Sequence, residues 1–234
     1  MASAPGSDRV PSRSVQRLIS RKLAGAAGVS VLVAGFAGFL ALAAESATTA
    51  RSDARSSAAC GIERWPVKTL LDKAARKIDF NGRTASVEEL RALPRPLIGP
   101  RTARTRPHEF ATFIVRARVV KIRRLRNFDL LLVIRGRDPK STMLVAFPDT
   151  HVCMEISAGA RGGDIHSATD SLIADCGPSF PSNRWQGLAG TATITGVGFF
   201  DVRHAKPIHG EAPNGLRLHP ALSFRSSNCT TKDT

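Results

Sequence analysis

The strongest constraint on the fold of this chain is the order of its hydrophobic patterns after residue 110. Residues 110–122 alternate apolar and polar side chains, which is the period-two pattern of a half-buried β-strand. Further segments follow in chain order at 128–134 (strand), 143–147 (strand), 165–176 (helix), 191–200 (strand) and 216–224 (strand). The pattern therefore predicts three strands, then a helix, then two strands.

This order predicts a mainly β domain: a five-stranded OB-like barrel (β-β-β-α-β-β) with a short helical N-terminal preamble. In such a barrel the helix between the third and fourth strands plugs an open end. Gly196 and Gly198 fall in the fourth predicted strand, where a strongly coiled strand needs positions without a side chain. A β-sandwich is the main competing architecture, but it normally needs about seven strands.

The chain divides into five predicted segments. Ser86 and Glu89 form a capping-box pattern that predicts a short helix in the preamble, ahead of a proline-rich loop. A Ser-, Thr- and Ala-rich stretch before Cys60 indicates a disordered stem. The predicted segments are a signal peptide or signal anchor (1–44), the stem (45–59), the N-terminal preamble (60–106), the OB-like β-barrel domain (107–226) and a tail (227–234).

The N-terminal segment has the pattern of an export signal. Residues 23–44 form a 22-residue stretch without charge that follows a cluster of basic residues. Ala41-Leu42-Ala43 matches the small-x-small pattern of a cleavage site, but about 20 apolar residues also suffice to span a bilayer. Both alternatives place the following residues outside the cytoplasm. The protein is therefore expected to be extracytoplasmic, either secreted or anchored to the cell membrane by residues 23–44.

The four cysteines fit an oxidising compartment, and since none of them belongs to a CxxC pair, zinc-ribbon or thioredoxin-like chemistry has no support. Four cysteines allow three pairings. We expect Cys153–Cys176, on proximity in sequence, and Cys60–Cys229, which would join the two ends of the folded region.

Positive charge is concentrated around the first predicted barrel strand. The chain has 34 Lys and Arg against 19 Asp and Glu, a formal net charge of +15. Residues 101–137 contain eleven basic and two acidic residues, whereas residues 138–224 contain six and eight. Such a stripe attracts polyanions, although a solvated basic face explains it equally well. The predicted ligand-binding residues are Arg116, Arg118, Lys121, Arg123, Arg124 and Arg126.

The loop that follows the fourth predicted strand contains imidazole and carboxylate groups that could do chemistry. Asp201, His204 and His209 form the alternative catalytic set, and His204 and His209 form the alternative metal site. Their spacing matches no standard motif such as HExxH. We therefore assign no catalytic residue, no metal and no cofactor. His219 stands before Pro220 in a strand, where a hydrogen-bonded structural role is the commoner one.

Three segments carry a resemblance to known sequences. CGIERWPVKT (60–69), GTATITGVGFFD (190–201) and PNGLRLHPALSF (213–224) resemble a family of uncharacterised small bacterial exported proteins. The resemblance implies a secreted or surface-held single domain without an established activity. Asp201 and His204 match the family's loop roughly, whereas the stretch AKPIHGEA (205–212) departs from it.

The expected function is that of an exported or membrane-anchored extracytoplasmic binding domain. Its basic rim would engage an anionic polymer, either nucleic acid or an envelope polymer. The membrane is a second expected partner, through the N-terminal segment if it is uncleaved, and no small-molecule cofactor is expected. Two alternatives stay open: a metal-dependent hydrolase or nuclease that uses the loop 201–219, and a structural envelope protein.

Overall fold

The computed structural model describes residues 60–61, 63–176 and 183–232, so the predicted signal or anchor and the stem lie outside the described residues. Its helices are α1 (Trp65–Lys68), α2 (Val87–Ala92), α3 (Met154–Ala158) and α4 (Gly162–Cys176), with 3-10 helices at Lys73–Lys77 and His108–Phe110. Its strands are β1 (Asp79–Thr84), β2 (Ala111–Arg124), β3 (Leu130–Arg135), β4 (Thr142–Phe147), β5 (Gln186–Ala189), β6 (Thr191–Phe200), β7 (Leu216–Arg225) and β8 (Thr230–Thr231).

Five strands close into a barrel in the order β2–β3–β4–β7–β6 and back to β2. The neighbours are antiparallel except for β4 and β7, which are parallel. α4 lies between β4 and β6 in the sequence, as the OB arrangement requires. The prediction of a mainly β, OB-like barrel is therefore confirmed. Three short strands were not predicted: β1 pairs with β2, β5 extends the edge of β2, and β8 pairs with β5.

A β-bulge in β2 decides which way its basic side chains point. The register shifts between Val119 and Lys121, so that Val119 and Ile122 both lie in the barrel core although strict alternation would place them on opposite faces. Lys121 and Arg123 therefore share the outer face with Arg118. Without the extra residue these two cations would point into the apolar interior.

The barrel interior is filled by large apolar side chains from every strand. Ile134, Phe147 and Leu218 are completely buried there, and α4 packs Ala168 and Leu172 against the same core. Burying one such side chain contributes about 1.5–3 kcal/mol.

Apart from its end at Arg135 and Thr142, the outer face of β3 and β4 is also buried. Leu131, Val133, Leu144 and Ala146 form a second apolar layer there, and the partly buried side chains that pack on it include Val120, Leu125, Trp185 and Ile208. The second and third barrel strands usually supply the ligand face of an OB-fold. In this protein the chain's own segments cover that face.

A buried ion pair attaches the preamble to the segment that leads into β2, and a second pair links two parts of the preamble. Arg64 Nη2 donates to Glu109 Oε2 at 2.7 Å, and neither side chain is exposed to solvent. Arg104 Nη2 donates to Asp72 Oδ1 at 2.6 Å and to the Val67 carbonyl at 2.8 Å. The predicted capping box of α2 is confirmed, since Glu89 N–H donates to Ser86 Oγ and the Ser86 N–H donates to the Glu89 carboxylate.

The disulfide pairing predicted from the sequence is wrong. The structure pairs Cys60 with Cys153 and Cys176 with Cys229 rather than Cys153 with Cys176 and Cys60 with Cys229. The reason is α4, whose 15 residues span about 21 Å and carry Cys176 away from Cys153. Proximity in sequence is a poor guide when a rigid helix lies between two cysteines.

The two disulfides point to an oxidising, extracytoplasmic compartment. Within the described part of the chain, no helix has the length and apolarity needed to cross a membrane.

Candidate functional site

The outer face of the barrel carries a row of arginines that crosses four neighbouring strands. Arg118 on β2 stands directly opposite Arg135 on β3. Arg116, also on β2, stands opposite Thr193 on β6. Thr193 in turn stands opposite Arg225 on β7. Residues paired in this way share a face of the sheet, so the guanidinium groups are presented on one surface.

These arginines line three adjoining depressions. The largest, of about 690 Å³, is lined in part by Arg116, Arg118 and Arg135. A second, of about 440 Å³, shares Arg116 and extends to Arg225. A third, of about 260 Å³, shares Arg118 and Arg135. Because the depressions share residues, they form one continuous surface, which we call the arginine groove: Arg116, Arg118, Arg135, Arg137 and Arg225.

Within the described parts of the chain none of the five groove arginines lies in an ion pair, although Arg137 interacts electrostatically with Glu89. Arg118 and Arg135 are like charges in directly opposed positions, an arrangement that destabilises a sheet. Asp175 also lines the groove, with its Oδ2 accepting the Ser226 N–H at 2.7 Å, and its carboxylate offsets part of the positive charge there. A bound anion would relieve the repulsion, and a guanidinium can hold phosphate or carboxylate oxygens through two parallel hydrogen bonds.

The predicted ligand residues divide into three positions. Arg116 and Arg118 lie in the groove, whereas Lys121 and Arg123 lie further along the same face beside Trp185. Lys121 Nζ is 5.4 Å and the Arg123 guanidinium carbon 4.6 Å from the centre of a Trp185 ring. Burial lowers the pKa of both cations from their ordinary values. The remaining two, Arg124 at the end of β2 and Arg126 in the following turn, are exposed.

Three groove residues were not predicted from the sequence: Arg135, Arg137 and Arg225. Arg135 ends β3 and Arg137 follows two residues later, so the high charge of residues 101–137 was the available signal for them. Arg225 lies about 90 residues after Arg135 in sequence, and only strand pairing brings it to the same surface.

A second polar centre surrounds Asp201, where β6 ends. Arg217 Nη2 lies 2.5 Å from Asp201 Oδ2, Lys68 Nζ lies 3.8 Å from Oδ1, and His204 Nε2 lies 3.4 Å from Oδ2. The Arg217 contact is ionic rather than a directed hydrogen bond, because Nη2 finds no hydrogen-bond partner in the described residues. Burial alone would raise the pKa of Asp201, but the nearby cations outweigh it and hold the value at about 2.

Two neighbouring buried groups have pKa values shifted in opposite directions. Burial raises the pKa of Asp129 to about 6, although its carboxylate accepts hydrogen bonds from the Asp149 N–H and from Asn127. Burial, with Lys68 and Arg217, lowers the pKa of His219 well below its ordinary value. Both ring nitrogens of His219 lack hydrogen-bond partners among the described residues. The hydrogen-bonded structural role expected for His219 is therefore not seen there, and its ring instead packs edge-on against Phe199, with centres 5.4 Å apart.

The two histidines of the alternative catalytic set have different surroundings. His204 contacts Asp201, and it lines a pocket of about 320 Å³ with Arg95 and Arg203. His209 instead packs against Trp185, with ring centres 6.1 Å apart, and burial together with Lys121 lowers its pKa. Over residues 60–61, 63–176 and 183–232, no group of three or more His, Cys, Asp or Glu side chains could hold a metal ion.

Comparisons of the chain with protein-family models, with curated proteins and with solved structures find no match. The resemblance to small exported proteins therefore stays a prediction. The function has to be argued from the charge and geometry of the site itself.

Proposed function

We propose that this protein is an extracytoplasmic binding domain that holds an anionic polymer in the arginine groove. The observation that carries the proposal is the direct opposition of Arg118 and Arg135 on an outer sheet face, where neither has an ion-pair partner among the residues that the structure describes. A sheet gains no stability from such a pair. An anion that bridges the two guanidinium groups replaces their mutual repulsion with attraction to the anion, and this favours binding.

The dimensions of the groove favour a polymer over a single small anion. Arg116 and Arg118 are two residues apart on one strand, a separation of about 6.8 Å, and strand neighbours such as Arg118 and Arg135 are about 5 Å apart. Arg225 lies two strands away from Arg116, about 10 Å across the sheet. Several anionic groups of one chain can therefore be bound at once.

The residues that line the groove favour recognition of charge over recognition of bases or sugar rings. Besides arginine, the lining of the largest depression consists of small or aliphatic residues: Ala117, Gly136, Pro139 and Thr191. Single-stranded nucleic acid is usually held by aromatic side chains on which bases stack, and this lining offers none. The contacts would therefore be to phosphate or carboxylate groups of the polymer backbone.

The protein would meet its polymer outside the cytoplasm, either as a secreted domain or as one held to the membrane by residues 23–44. The uncharged stretch with its basic flank supports export, and the two disulfides fit an oxidising compartment. Intact mass of the protein isolated from its host separates the two forms, since cleavage near Ala43 removes the apolar segment.

The proposal is tested by charge reversal. Fluorescence anisotropy with a labelled 20-nucleotide oligothymidylate and with a labelled poly-glutamate is measured on the purified protein with both disulfides intact. Arg118→Glu with Arg135→Glu is expected to weaken binding of at least one probe by more than tenfold. The matched control, Arg101→Glu with Lys206→Glu, makes the same change in net charge at exposed positions outside the groove. Equal losses in both double variants would show that only net charge matters and would refute the groove.

A second candidate, a hydrolase, is favoured by the pairing of His204 with Asp201. A carboxylate that orients an imidazole is a common arrangement for a general base, and the pocket beside it contains two arginines that could hold an anionic substrate. The test is hydrolysis of bis(4-nitrophenyl) phosphate and 4-nitrophenyl acetate by the protein, with and without added Zn²⁺ or Mg²⁺. Activity that disappears in His204→Ala would support an enzyme, and no activity under any condition would end this candidate.

A further inference from the structure

An apolar pocket lies between the preamble and the connection from α3 to α4, apart from the residues of the arginine groove. It has a volume of about 440 Å³, and its apolar lining consists of Leu70, Ala75, Phe80 and Ala160. The floor is part of the folded core, because Ala75 packs in one cluster with Ile78 and Val197. Leu70 adopts a left-handed backbone conformation, with φ of 62°, which is unusual for a residue with a side chain.

Three cations also line this pocket. Its lining includes Lys73, Arg76 and Arg161 and one carboxylate, Asp72. Asp72 is already paired with Arg104, at 2.6 Å. Arg161 is paired with Asp164 at 2.9 Å, and its guanidinium lies 4.0 Å from the centre of the Phe80 ring.

Lys73 and Arg76 are therefore the cations available to a ligand. Both are exposed, and neither has an ion-pair partner in the residues that the structure describes. They lie three residues apart in one short helical segment, so their side chains reach the same side. The site therefore combines an apolar lining with two exposed positive charges.

We propose that this pocket binds an anionic single-chain amphiphile: an acyl chain occupies the apolar cavity, and its acidic head group pairs with Lys73 and Arg76. The chain contributes through burial of methylene groups, and the head group contributes through charge-assisted hydrogen bonds. A neutral or cationic head group gains nothing from the two cations, and a short chain leaves part of the cavity empty. The pocket thus gives the exported domain a second ligand that is chemically different from a polymer in the arginine groove.

The test is isothermal titration calorimetry with probes that vary one property at a time, below their critical micelle concentrations. Dodecanoate, dodecanol and dodecyltrimethylammonium share a chain length and differ in charge. Dodecanoate is expected to bind at least tenfold more tightly than dodecanol, and the cation is expected not to bind. In the series hexanoate, octanoate and decanoate, each added methylene is expected to lower Kd about fourfold until the cavity is filled.

Variants locate the site. Ala160→Leu fills the cavity from an exposed position and is expected to abolish dodecanoate binding without affecting folding. Ala75→Leu fills it from the floor, and because this residue is buried the variant is used only if its unfolding transition matches that of the parent. Lys73→Gln with Arg76→Gln is expected to remove the preference for dodecanoate over dodecanol. The control, Arg118→Glu with Arg135→Glu, is expected to leave dodecanoate binding unchanged.

Three results would overturn the proposal: no binding of dodecanoate, equal affinity for all three head groups, or unchanged dodecanoate affinity in Ala160→Leu. None of them bears on the arginine groove, since polymer binding is measured separately and with different variants.

Discussion

The carboxylate of Glu109 compensates the charge of the Arg64 guanidinium, which has no access to solvent. Replacing Glu109 by Gln therefore tests whether the preamble, which contains Arg64, belongs to the folded domain. The two carboxylate oxygens accept four N–H groups: Arg64 Nη1 at 2.9 Å, Arg64 Nη2 at 2.7 Å, Thr105 N at 2.6 Å and Phe200 N at 2.8 Å. Gln keeps the size of the side chain but has one carbonyl oxygen and one donor group. Some of the four donors would then face an NH₂ group, and Arg64 would keep an uncompensated buried charge.

Removing one partner of a buried ion pair typically costs about 3–5 kcal/mol, and Glu109 and Arg64 have side chains with no exposed surface. We therefore expect Glu109→Gln to lower the free energy of unfolding by about 3–5 kcal/mol. The assay is urea unfolding followed by tryptophan fluorescence in a Trp185→Phe background, so that the signal comes from Trp65, which is buried in the preamble. Glu155→Gln, at an exposed position in α3, is the control and is expected to change stability by about 0.5 kcal/mol or less. A loss below about 1 kcal/mol for Glu109→Gln would refute the idea that this pair anchors the preamble.

Two further predictions concern stability. Because the folded-state pKa of Asp129 is raised from 3.8 to about 6, this group destabilises the fold progressively as pH rises from about 4 to 6, by about 3 kcal/mol in total. Asp129→Asn should therefore gain stability relative to the parent over that range. The two proteins have to be compared at each pH in urea unfolding, since the lowered pKa of His219 acts with the opposite sign over the same range. If the difference in unfolding free energy between Asp129→Asn and the parent did not vary between pH 4 and 7, the raised pKa of Asp129 would be contradicted. The disulfides close sequence separations of 93 and 53 residues, and a chain-entropy argument gives about 5 and 4 kcal/mol for them. Peptide mapping of the non-reduced protein should recover Cys60–Cys153 and Cys176–Cys229, and any other pairing would contradict the fold around α4. Replacing both cysteines of one bridge by Ser should lower the free energy of unfolding by a similar amount.

The barrel could be predicted from the sequence because its strands follow simple patterns. Period-two alternation identified β2, and short apolar runs bounded by turn residues identified β3 and β4. Those two runs are continuously apolar, as is typical of strands that are buried on both faces, and β3 and β4 are buried in this way. The bulge after Val119 could not be predicted from this alternation. A single extra residue leaves a local pattern of apolar and polar residues that fits either of two strand registers.

The candidate site was less predictable, because it depends on contacts between distant parts of the chain. Arg116 and Arg118 were identified from local charge, whereas Arg225 joins them only through two successive strand pairings. Of the alternative catalytic set, Asp201 and His204 lie together, whereas His209 packs against Trp185. Lys68 and Arg217 come from α1 and β7, and no sequence signal links them to Asp201. The disulfide pairing failed for the same reason: pairing depends on where a helix carries its last residue.

The central claim, that the arginine groove binds a polyanion, is tested most directly by the salt dependence of binding in single-arginine variants. For a single-stranded polyanion the slope of log K against log salt is about −0.7 for each neutralised phosphate. If oligothymidylate occupies the groove, the slope should be shallower than that of the parent protein by about 0.7 in Arg118→Ala, and by about 0.7 in Arg135→Ala. Arg101→Ala should leave the slope unchanged. Binding with the same slope in all three variants and in the parent protein would contradict the assignment of the groove.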